Sequence, residues 1–397
     1  MAILSEILSE NHFSISLAHG VITGKGAEFL LEQARASRFF LYGEDHGIAD
    51  NLNFATALFK LIRPSGYSTY VTEIGPFSAE KFNQLARQPD AMGAFHEFYS
   101  SYPFSIPFGW LREEVHLLQA VSTPARNSEN PIIGIDQEFI ISTQFHLENL
   151  KNECSDPSLR EKIETWLKVE KQATQDMYAG KPIEQLAIFM QTPLPEEWPA
   201  LRNYFEAQNN TSAVALMNAL TDSREVYMYY KTEDYYLNNF SRSLLMKRYF
   251  YEEFNKRSTA NLDEKYFIKL GANHIKRGHS VMGIQDIGNF ISELAVMEKA
   301  ESFHLFALPY SGKQNAWLPF APKEYKAAQI EENTNPAYQP ILNTLPDTSS
   351  WHVYDLRPLR MKQNTWTKNN PEFKNLIQGY DAILLMGDVQ AAQLVVE

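Results

Sequence analysis

The chain has 397 residues, 44% of them hydrophobic, which can bury the core of two or three domains or of one α/β domain with a large insertion. Its formal net charge of -12 argues against binding to a nucleic-acid backbone, and its single cysteine, Cys154, excludes an intramolecular disulfide and a cysteine metal cluster. The chain has no run of about 18 uncharged apolar residues, so no membrane span is predicted. The N-terminus lacks the pattern of a secretory signal, which favours the cytoplasm and leaves the periplasm or secretion open.

The chain begins with helical segments that precede a first strand. Residues 1–20 are predicted to form an amphipathic helix and a loop, and residues 26–37 show the apolar spacing of a second helix. The run 39–42 is entirely apolar or aromatic and is interrupted by Gly43. A short apolar run of this kind is typical of a strand that is buried on both faces of a parallel sheet.

Polar residues follow this strand directly, in the order Glu44, Asp45, His46 and Gly47. Open α/β sheets carry their chemistry at the carboxyl ends of their strands. If the chain stays extended for two more residues, the side chains of Glu44 and His46 point to one side and that of Asp45 to the other. The carboxylate can then hold the tautomer or the charge of the imidazole, whereas a loop of solvated polar residues is the alternative.

Two further predicted strands also carry an acid at the carboxyl end. A helix predicted over residues 51–61 begins just after the first strand-end loop, and its N-terminus adds positive potential there. The strand predicted over residues 67–74 contains Glu73, and the short strand over 132–137 contains Asp136. The alternation of strands and helices predicts a parallel sheet with right-handed crossovers.

The middle of the chain changes character. Between 141 and 262 the β-branched runs disappear and charged residues alternate with Leu, Met, Trp and Tyr, which predicts a block of helices. Five tyrosines between 227 and 236 are either a substrate-facing wall or, more ordinarily, packing between helices. Strand patterns return at 265–271, 303–308, 352–356 and 382–386.

These patterns predict an α/β fold with a mainly parallel sheet, flanked by helices and interrupted by a large all-helical insertion. Residues 1–140 form the first part of the α/β core, 141–262 the helical insertion or cap, and 263–397 the second part. Residues 311–346 are rich in Pro, Asn, Gln and aromatic residues with weak periodicity. Because segments of this length without regular structure are usually functional, we expect a lid or flap there.

The polar groups at the predicted strand ends form the candidate site. Each has an ordinary structural alternative: a histidine satisfied in the core, an aspartate that caps a helix, or an arginine in a salt bridge. Their shared position at one edge of the sheet is what indicates chemistry. The candidates are Glu44, His46, Glu73, Asp136 and His274, together with Arg242 on the helix that leads into the strand before His274.

The chain resembles the erythromycin esterase family, within a wider group that includes ChaN-type haem-binding lipoproteins and Tiki-type proteases. The order and approximate spacing of several short motifs agree with that family. The Glu-x-His spacing at Glu44 and His46 is one residue shorter than in the esterases and closer to the ChaN type. The motifs are 42–47 (YGEDHG), 71–75 (VTEIG), 110–115 (WLREEV), 132–136 (IIGID), 241–246 (SRSLLM), 271–274 (GANH), 354–357 (YDLR) and 380–383 (YDAI).

The resemblance implies cofactor-free hydrolysis of an ester or lactone by direct attack of water. His46 would take the proton from water as general base, and Glu44 would orient His46 and stabilise its imidazolium. Arg242 or His274 would polarise the scissile carbonyl, and Glu73 would hold one of them. No nucleophilic serine is required, and the chain has no G-x-S-x-G motif. The candidate substrate-binding residues are Asp136, Trp110 and Tyr42.

Other functions stay open at this point. Two histidines and two carboxylates can bind Zn²⁺ or Mn²⁺ and activate water, as in Tiki-like proteases. A protein that binds haem or another ligand without turnover, of the ChaN type, is a further alternative, and so is a scaffold that merely retains these polar residues. The expected partner is a small-molecule ester or lactone, with no nucleic acid and no membrane span.

Overall fold

The computed structural model describes residues 2–123, 130–317, 323–331, 335–347, 350–361 and 367–396. In these residues the strands β1 to β11 are, in chain order, His12–Ala18, Val21–Thr23, Phe39–Glu44, Tyr67–Thr72, Ile132–Gly134, Lys265–Gly271, Ser302–Pro309, Gly312–Gln314, Ala328–Ile330, Trp351–Asp355 and Ala382–Met386.

The helices α1 to α15 of the same residues are Ala2–Glu10, Lys25–Ala36, Ala49–Ile62, Pro76–Ala86, Ala91–Ser101, Arg112–Ser122, Thr143–Glu153, Pro157–Tyr178, Trp198–Ala207, Thr211–Lys231, Tyr235–Ala260, Ile287–Met297, Gln339–Leu342, Arg357–Arg360 and Pro371–Gly379. Short 3₁₀ helices occupy Arg63–Ser65, Ile183–Gln185, Phe189–Gln191 and Lys323–Ala327. None of the described helices is both long and apolar enough to cross a membrane.

Nine of the strands form one mixed sheet in the order β2-β1-β10-β11-β7-β3-β6-β4-β5. The strands from β11 to β5 in that order pair in parallel, which confirms the predicted parallel sheet. The other edge is antiparallel, because β10 pairs with β11 and with β1 in that sense. The prediction of a helix and a loop over residues 1–20 was therefore wrong beyond α1, since β1 follows it and pairs with a strand more than 300 residues away.

Strand β3 lies inside the sheet, between β6 and β7, because its side chains are apolar on both faces. Phe40 and Tyr42 belong to the hydrophobic core on one face, where α2 to α6 pack. Phe39 and Leu41 belong to the core on the other face, where α11, α12 and α15 pack. A strand that is apolar on both faces is stable only when helices cover both, and this arrangement carries the end of β3 into the middle of the sheet edge.

Helices α7 to α11 supply the predicted helical region between 141 and 262. Side chains of α7 to α10 form a hydrophobic cluster of their own, separate from the two cores of the sheet. The last helix, α11, instead packs on the sheet, with Phe250 and Phe254 against Phe39 and Tyr266. This packing brings the first half of α11 above the carboxyl ends of the strands.

The described part of the segment predicted as a flap, 311–346, contains β8 and β9, which pair with each other, and α13. Residues 318–322 and 332–334 lie outside the described residues. Asn315 joins this segment to the loop after β3, since its backbone N–H donates to the carbonyl of Gly47 at 2.8 Å. Its side-chain amide donates to the carbonyl of Ala392 at 2.9 Å. That the segment closes over the site stays a prediction.

Candidate functional site

Glu44 and His46 lie at the end of β3 and contact each other. The Glu44 carboxylate is buried, and its Oε1 lies 3.3 Å from Nδ1 of His46. The His46 side chain is 41% exposed and faces a cavity. Gly47 follows with a φ of +76°, and a Cβ at this position would lie 1.9 Å from the carbonyl oxygen of Asn315. The turn that presents His46 therefore requires glycine.

Glu73, which follows β4, connects both histidines to the arginine of the site. Its Oε1 accepts a hydrogen bond from Nη2 of Arg242 at 2.7 Å, and its Oε2 accepts one from the backbone N–H of Gly271 at 2.7 Å. Nε2 of His274 lies 3.4 Å from Oε1, and Nε2 of His46 lies 3.8 Å from Oε2. One buried carboxylate thus holds groups from three different elements.

Arg242 reaches the site from the first turns of α11. Its Nε donates to Oδ1 of Asp136 at 2.9 Å and its Nη2 to Oδ2 at 2.5 Å, a two-point contact that fixes the plane of the guanidinium. The remaining nitrogen, Nη1, donates to no side chain or carbonyl of the described residues, and Arg242 lines the cavity. A donor is therefore available to an oxygen of a bound molecule.

His274, after β6, is buried and held on both sides by acids. Its Nδ1 lies 2.6 Å from Oδ2 of Asp286, which also caps the N-terminus of α12 by accepting from the N–H of Ile287 at 2.8 Å. Burial opposes the charged ring, but the charge of Glu73 and the hydrogen bond with Asp286 outweigh it and raise the pKa of His274 to about 10. At neutral pH this ring is a cation and has no lone pair to accept a proton.

His46 differs from His274 because it faces the cavity. Burial opposes its charged form, yet the hydrogen bond with Glu44 and the negative charge of Glu73 raise the pKa of His46 above its ordinary value of 6.5. Its Nε2 lies beyond hydrogen-bonding distance of the nearest Glu73 oxygen, at 3.8 Å. A neutral His46 can therefore accept a proton from a water molecule in the cavity.

The cavity beside these groups has a volume of about 490 Å³, within the range of small-molecule sites. Its apolar walls come from four separate parts of the chain: the loop before α6, the residues after β5, helix α10 and the segment after β8. The ring of Phe108 lies 4.7 Å from the His46 ring, and Trp317 packs edge-on against Phe104 at 4.9 Å. The aromatic lining residues are Phe108, Trp110, Phe139, Tyr227 and Trp317.

Backbone strain marks the loop before α6. Phe104 and Phe108 have φ values of +54° and +68°, a conformation that bulky residues rarely adopt. Such strain persists only where surrounding contacts hold it, and it is common at functional sites. Here it turns the Phe108 ring towards His46.

The structure brings together most of the residues that the sequence indicated. Glu73 and Asp136 line the cavity with His46 and Arg242, and Trp110 lies on its wall. Glu44 and His274 lie behind this surface, in contact with His46 and Glu73 respectively.

Tyr42 is not part of this site, which corrects the prediction that it binds substrate. Its side chain is fully buried in the core of the sheet and stacks on Phe54 with ring centroids 6.1 Å apart. Its hydroxyl donates to the carbonyl of Asn51 at 3.2 Å. The reason is depth in the sheet, because Tyr42 lies two residues before the strand end at Glu44 and remains in the part of the sheet that helices cover.

The five tyrosines of 227–236 do not form a common wall. Tyr227 lines the cavity. Tyr230, Tyr235 and Tyr236 are exposed at the surface, where Tyr230 packs edge-on against Tyr235. The interpretation as a substrate-facing wall therefore applies to Tyr227, and the interpretation as packing between helices applies to Tyr230 and Tyr235.

Several residues around the site were not identified from the sequence. Lys269 lies within the apolar run of β6, and a charged residue in such a run is a signal that can be recognised in retrospect. Glu114 and Asp286 carry no local signal, because each becomes relevant only through a partner distant in sequence. Phe108 and Trp317 likewise reach the cavity from loops.

The carboxylates of the site contact cationic side chains of the chain itself. Among the described residues, no three His, Cys, Asp or Glu side chains are disposed so that they could hold one ion. The guanidinium of Arg242 already lies between the carboxylates of Glu73 and Asp136, where a bound cation would compete with it.

Comparison with known proteins gives structural matches only. No family model matches the sequence, and no curated protein matches it. A protein described as a succinoglycan biosynthesis protein aligns with a TM-score of 0.63 at 11% identity, over 99% of this chain and 98% of that one. A protein from Bacillus cereus aligns with a TM-score of 0.59 at 13% identity, over 99% and 98% of the two chains.

A third match is a mutant of the erythromycin esterase EreC in its open conformation. Its TM-score is 0.58 at 13% identity, and the alignment covers 93% of this chain and 95% of that chain. Identities this low show similarity of fold rather than of activity. Since both the sheet and the helical region are included in the alignment, the chain has an erythromycin esterase-like fold.

Proposed function

We propose that this protein is a hydrolase that adds water directly to an ester or lactone, without a metal or another cofactor. The observation that carries the proposal is that His46, paired with Glu44, and Arg242, whose Nη1 has no partner among the described residues, line the same cavity. His46 lines the cavity, its Nδ1 is held by Glu44, and its Nε2 has no hydrogen-bond partner among the described residues. A base and an oxyanion donor adjacent to one cavity are the minimum that ester hydrolysis requires.

In the proposed reaction, Nε2 of His46 takes a proton from water as the water oxygen attacks the carbonyl carbon. The carbonyl electrons move onto its oxygen, and Nη1 of Arg242 donates a hydrogen bond to this oxyanion. The intermediate then collapses, the bond to the alcohol oxygen breaks, and the imidazolium of His46 returns its proton to that oxygen. The products are one carboxylic acid and one alcohol, or one hydroxy acid from a lactone.

The remaining polar groups orient Arg242 and set the charge around the site. Glu73 and Asp136 fix the guanidinium of Arg242 from two sides. His274 is cationic and buried, so we assign it an electrostatic role behind Glu73 rather than the role of base. Of the two residues that the sequence suggested for polarising the carbonyl, Arg242 and His274, we therefore propose Arg242.

The substrate we propose is a small ester or lactone with an apolar body. The cavity walls are mainly aromatic, and a cavity of this kind stabilises a ligand by burying its apolar surface. The two carboxylates that face the cavity, Glu73 and Asp136, are both bound to Arg242, so the region next to the proposed base carries little free charge. EreC, with the same fold, is described as an erythromycin esterase.

The test is a turnover screen of the purified protein over esters, lactones and peptides, with and without a chelator. We expect ester or lactone hydrolysis that survives chelation. His46→Ala should reduce it at least about a hundredfold, because the loss of a general base typically costs 10²–10⁴-fold.

His96→Ala is the matched control, since His96 is an exposed histidine on α5 and does not line the cavity. Its rate should equal that of the unmodified protein. Full activity of His46→Ala would overturn the assignment of the base. Activity that disappears with chelator and returns with Zn²⁺ or Mn²⁺ would refute the metal-free mechanism in favour of a metal-dependent one. Ligand binding without turnover of any substrate would refute the hydrolase proposal.

A further inference from the structure

A buried lysine lies directly behind the proposed base. Lys269 is 2% exposed and projects from β6 towards the end of β3. Its Nζ donates to Oε1 of Glu44 at 2.8 Å, and Oε1 is also the oxygen nearest to Nδ1 of His46. A lysine is almost never buried in this way unless its charge is paired, so its position is specific.

A second carboxylate and an aromatic ring complete the surroundings of this lysine. Oε2 of Glu114, on α6, lies 3.1 Å from Nζ of Lys269, and the hydroxyl of Tyr70 donates to Oε1 of Glu114 at 2.9 Å. The ring of Phe108 covers Nζ at 5.4 Å from its centroid. The ammonium is therefore anchored between β3, α6 and the strained loop, and it is shielded from water.

Glu44 depends on this ammonium for its charge. A carboxyl group that is 2% exposed would by burial alone favour its protonated form, and Lys269 is the nearest permanent cation. Burial raises the pKa of Glu44, but Lys269 together with the bond to His46 brings it below the ordinary value. Burial also raises the pKa of Glu114, and there the charge of Lys269 does not fully offset it.

The protonation of Glu44 decides which nitrogen of His46 carries hydrogen. A carboxylate can only accept, so Nδ1 must donate to it and Nε2 keeps its lone pair towards the cavity. A protonated Glu44 can donate to Nδ1 instead, which moves the imidazole hydrogen to Nε2. In that state the ring presents a donor to the attacking water and cannot act as base.

We propose that Lys269 is a positioning residue that keeps Glu44 ionised and thereby fixes His46 in the tautomer with hydrogen on Nδ1. The effect of Lys269 on catalysis rests on the proposed hydrolase function, because the tautomer affects the rate only if His46 is the base. Its physical content, the link from Lys269 through Glu44 to His46, is independent of any substrate.

The groups that face His46 define what else can influence its protonation. Glu44 and Lys269 lie on the Nδ1 side, with Glu114 and Tyr70 behind them. Glu73 lies on the Nε2 side, where it is neutralised by Arg242 and His274. Removal of the Lys269 charge takes away the ammonium that Glu44 and Glu114 both contact. Glu44 is 2% exposed and keeps only the neutral His46 ring as a side-chain partner among the described residues, so we expect Glu44 itself to take up a proton.

Nitrogen NMR of the protein labelled with ¹⁵N-histidine tests this directly. The His46 signals are identified by their absence in His46→Ala, and the pattern above the pKa shows which ring nitrogen carries hydrogen. We expect hydrogen on Nδ1 in the unmodified protein. In Lys269→Gln we expect it on Nε2, with a lower His46 pKa and with a rate at least about a hundredfold lower where a substrate is turned over, since a wrong tautomer costs up to about 10⁴-fold.

Two further variants make the result specific. Lys269→Arg keeps the positive charge and should keep hydrogen on Nδ1. Glu114→Gln removes a carboxylate partner of Lys269 but keeps the contact between Lys269 and Glu44. It should therefore also keep hydrogen on Nδ1 of His46. A purely structural role for Lys269 predicts loss of folded protein in both lysine variants and no change of tautomer in whatever remains folded.

The proposal fails if the unmodified protein carries hydrogen on Nε2, a result that needs no variant to fold. It also fails if Lys269→Gln retains hydrogen on Nδ1 or raises the His46 pKa, because Glu44 would then stay ionised without the lysine. If the tautomer shifts as expected but no ester or lactone is hydrolysed by the unmodified protein, the positioning role stands and the hydrolase function is refuted.

Discussion

At the scale of single residues, the two histidines of the site are in different electrostatic surroundings. His46 contacts Glu44 and faces the cavity, whereas His274 is buried between Glu73 and Asp286. Because both rings follow strands of one sheet, the sequence makes them look equivalent. Their different exposure is what favours His46 as the base and gives His274 a supporting role.

Arg242 is the residue whose loss should affect catalysis without preventing binding. We expect Arg242→Ala to lower kcat by about 10²–10³-fold with little change in KM, because an oxyanion donor acts mainly in the transition state. Arg248→Ala is the control, since Arg248 lies on the same helix and is half exposed in an ion pair with Asp222. Steady-state kinetics of both variants decide the matter, and an equal kcat for both would remove Arg242 from the reaction.

The pH dependence of the rate should reflect the charge around His46. The base must be neutral, and the pKa of His46 lies above 6.5, so kcat/KM should rise with pH through a value above 6.5 and then level off. Glu73→Gln removes a negative charge 3.8 Å from Nε2, which destabilises the imidazolium and should move this rise to lower pH.

The position of the rise, rather than the height of the plateau, is the measurement, because Glu73→Gln also disturbs Arg242. Glu97→Gln removes an exposed carboxylate on α5 and should leave the profile unchanged. A rise that stays in place in Glu73→Gln would mean that Glu73 does not act on the titrating group.

At the scale of elements, the site is assembled from the ends of β3, β4, β5 and β6 and the start of α11. The strand ends were predicted from short apolar runs that lead into polar residues, and β6 and β11 have the predicted bounds. The antiparallel edge with β1 and β2 was missed, because its exposed residues alternate with few buried ones and give only a weak strand pattern. Helix α12, which carries the Asp286 cap, was not predicted either.

His274 lies between Glu73 and Asp286 and joins the end of β6 to the N-terminus of α12, and its charge, held first by Glu73 and then by Asp286, should make stability depend on pH. The pKa of His274 is about 10 when folded and about 6.5 when unfolded, so its contribution is fully present below pH 6.5 and is lost as the pH rises towards 10. For a buried ring the contribution is on the order of a few kcal/mol.

Urea unfolding at several pH values measures this. The unmodified protein should lose stability between pH 6.5 and pH 10, and His274→Gln should lose less over the same interval while being less stable at pH 6. Equal slopes for both proteins would show that His274 is not charged in the folded state.

The turn after β3 requires glycine at position 47 because of its backbone conformation and its contact with Asn315. Gly47→Ala forces an L-residue to a φ of +76° and puts its Cβ 1.9 Å from a backbone oxygen of Asn315, so the loop and the segment after β8 must separate. We expect a loss of more than about 1–2 kcal/mol in the free energy of unfolding, which is the cost of the left-handed conformation alone.

Gly20→Ala isolates that conformational cost, because Gly20 has a similar φ of +73° and no atom within 4 Å of the added Cβ. Denaturant unfolding of both variants gives the comparison. If Gly47→Ala is no less stable than Gly20→Ala, the contact with Asn315 does not constrain the turn.

At the scale of the whole molecule, the cavity exists only because distant parts of the chain meet. Phe108 precedes α6, Phe139 follows β5, and Trp317 follows β8. The sheet places the polar groups at one edge, and helices and loops from both sides of the sequence supply the apolar walls. Fold similarity to EreC extends over 93% of this chain.

The sequence by itself determined the alternation of buried strands and helices, the helical middle region and the polar residues at the strand ends, because each depends on local patterns of burial. Only the tertiary structure decided which of these groups touch: Tyr42 turned into the core, Lys269 reached Glu44, and Asp286 reached His274. The physical reason is that the register of β3 against β6 and the packing of α11 and α12 join residues more than 10, and up to 227, positions apart. Pairing of that kind leaves no periodic signal in the chain.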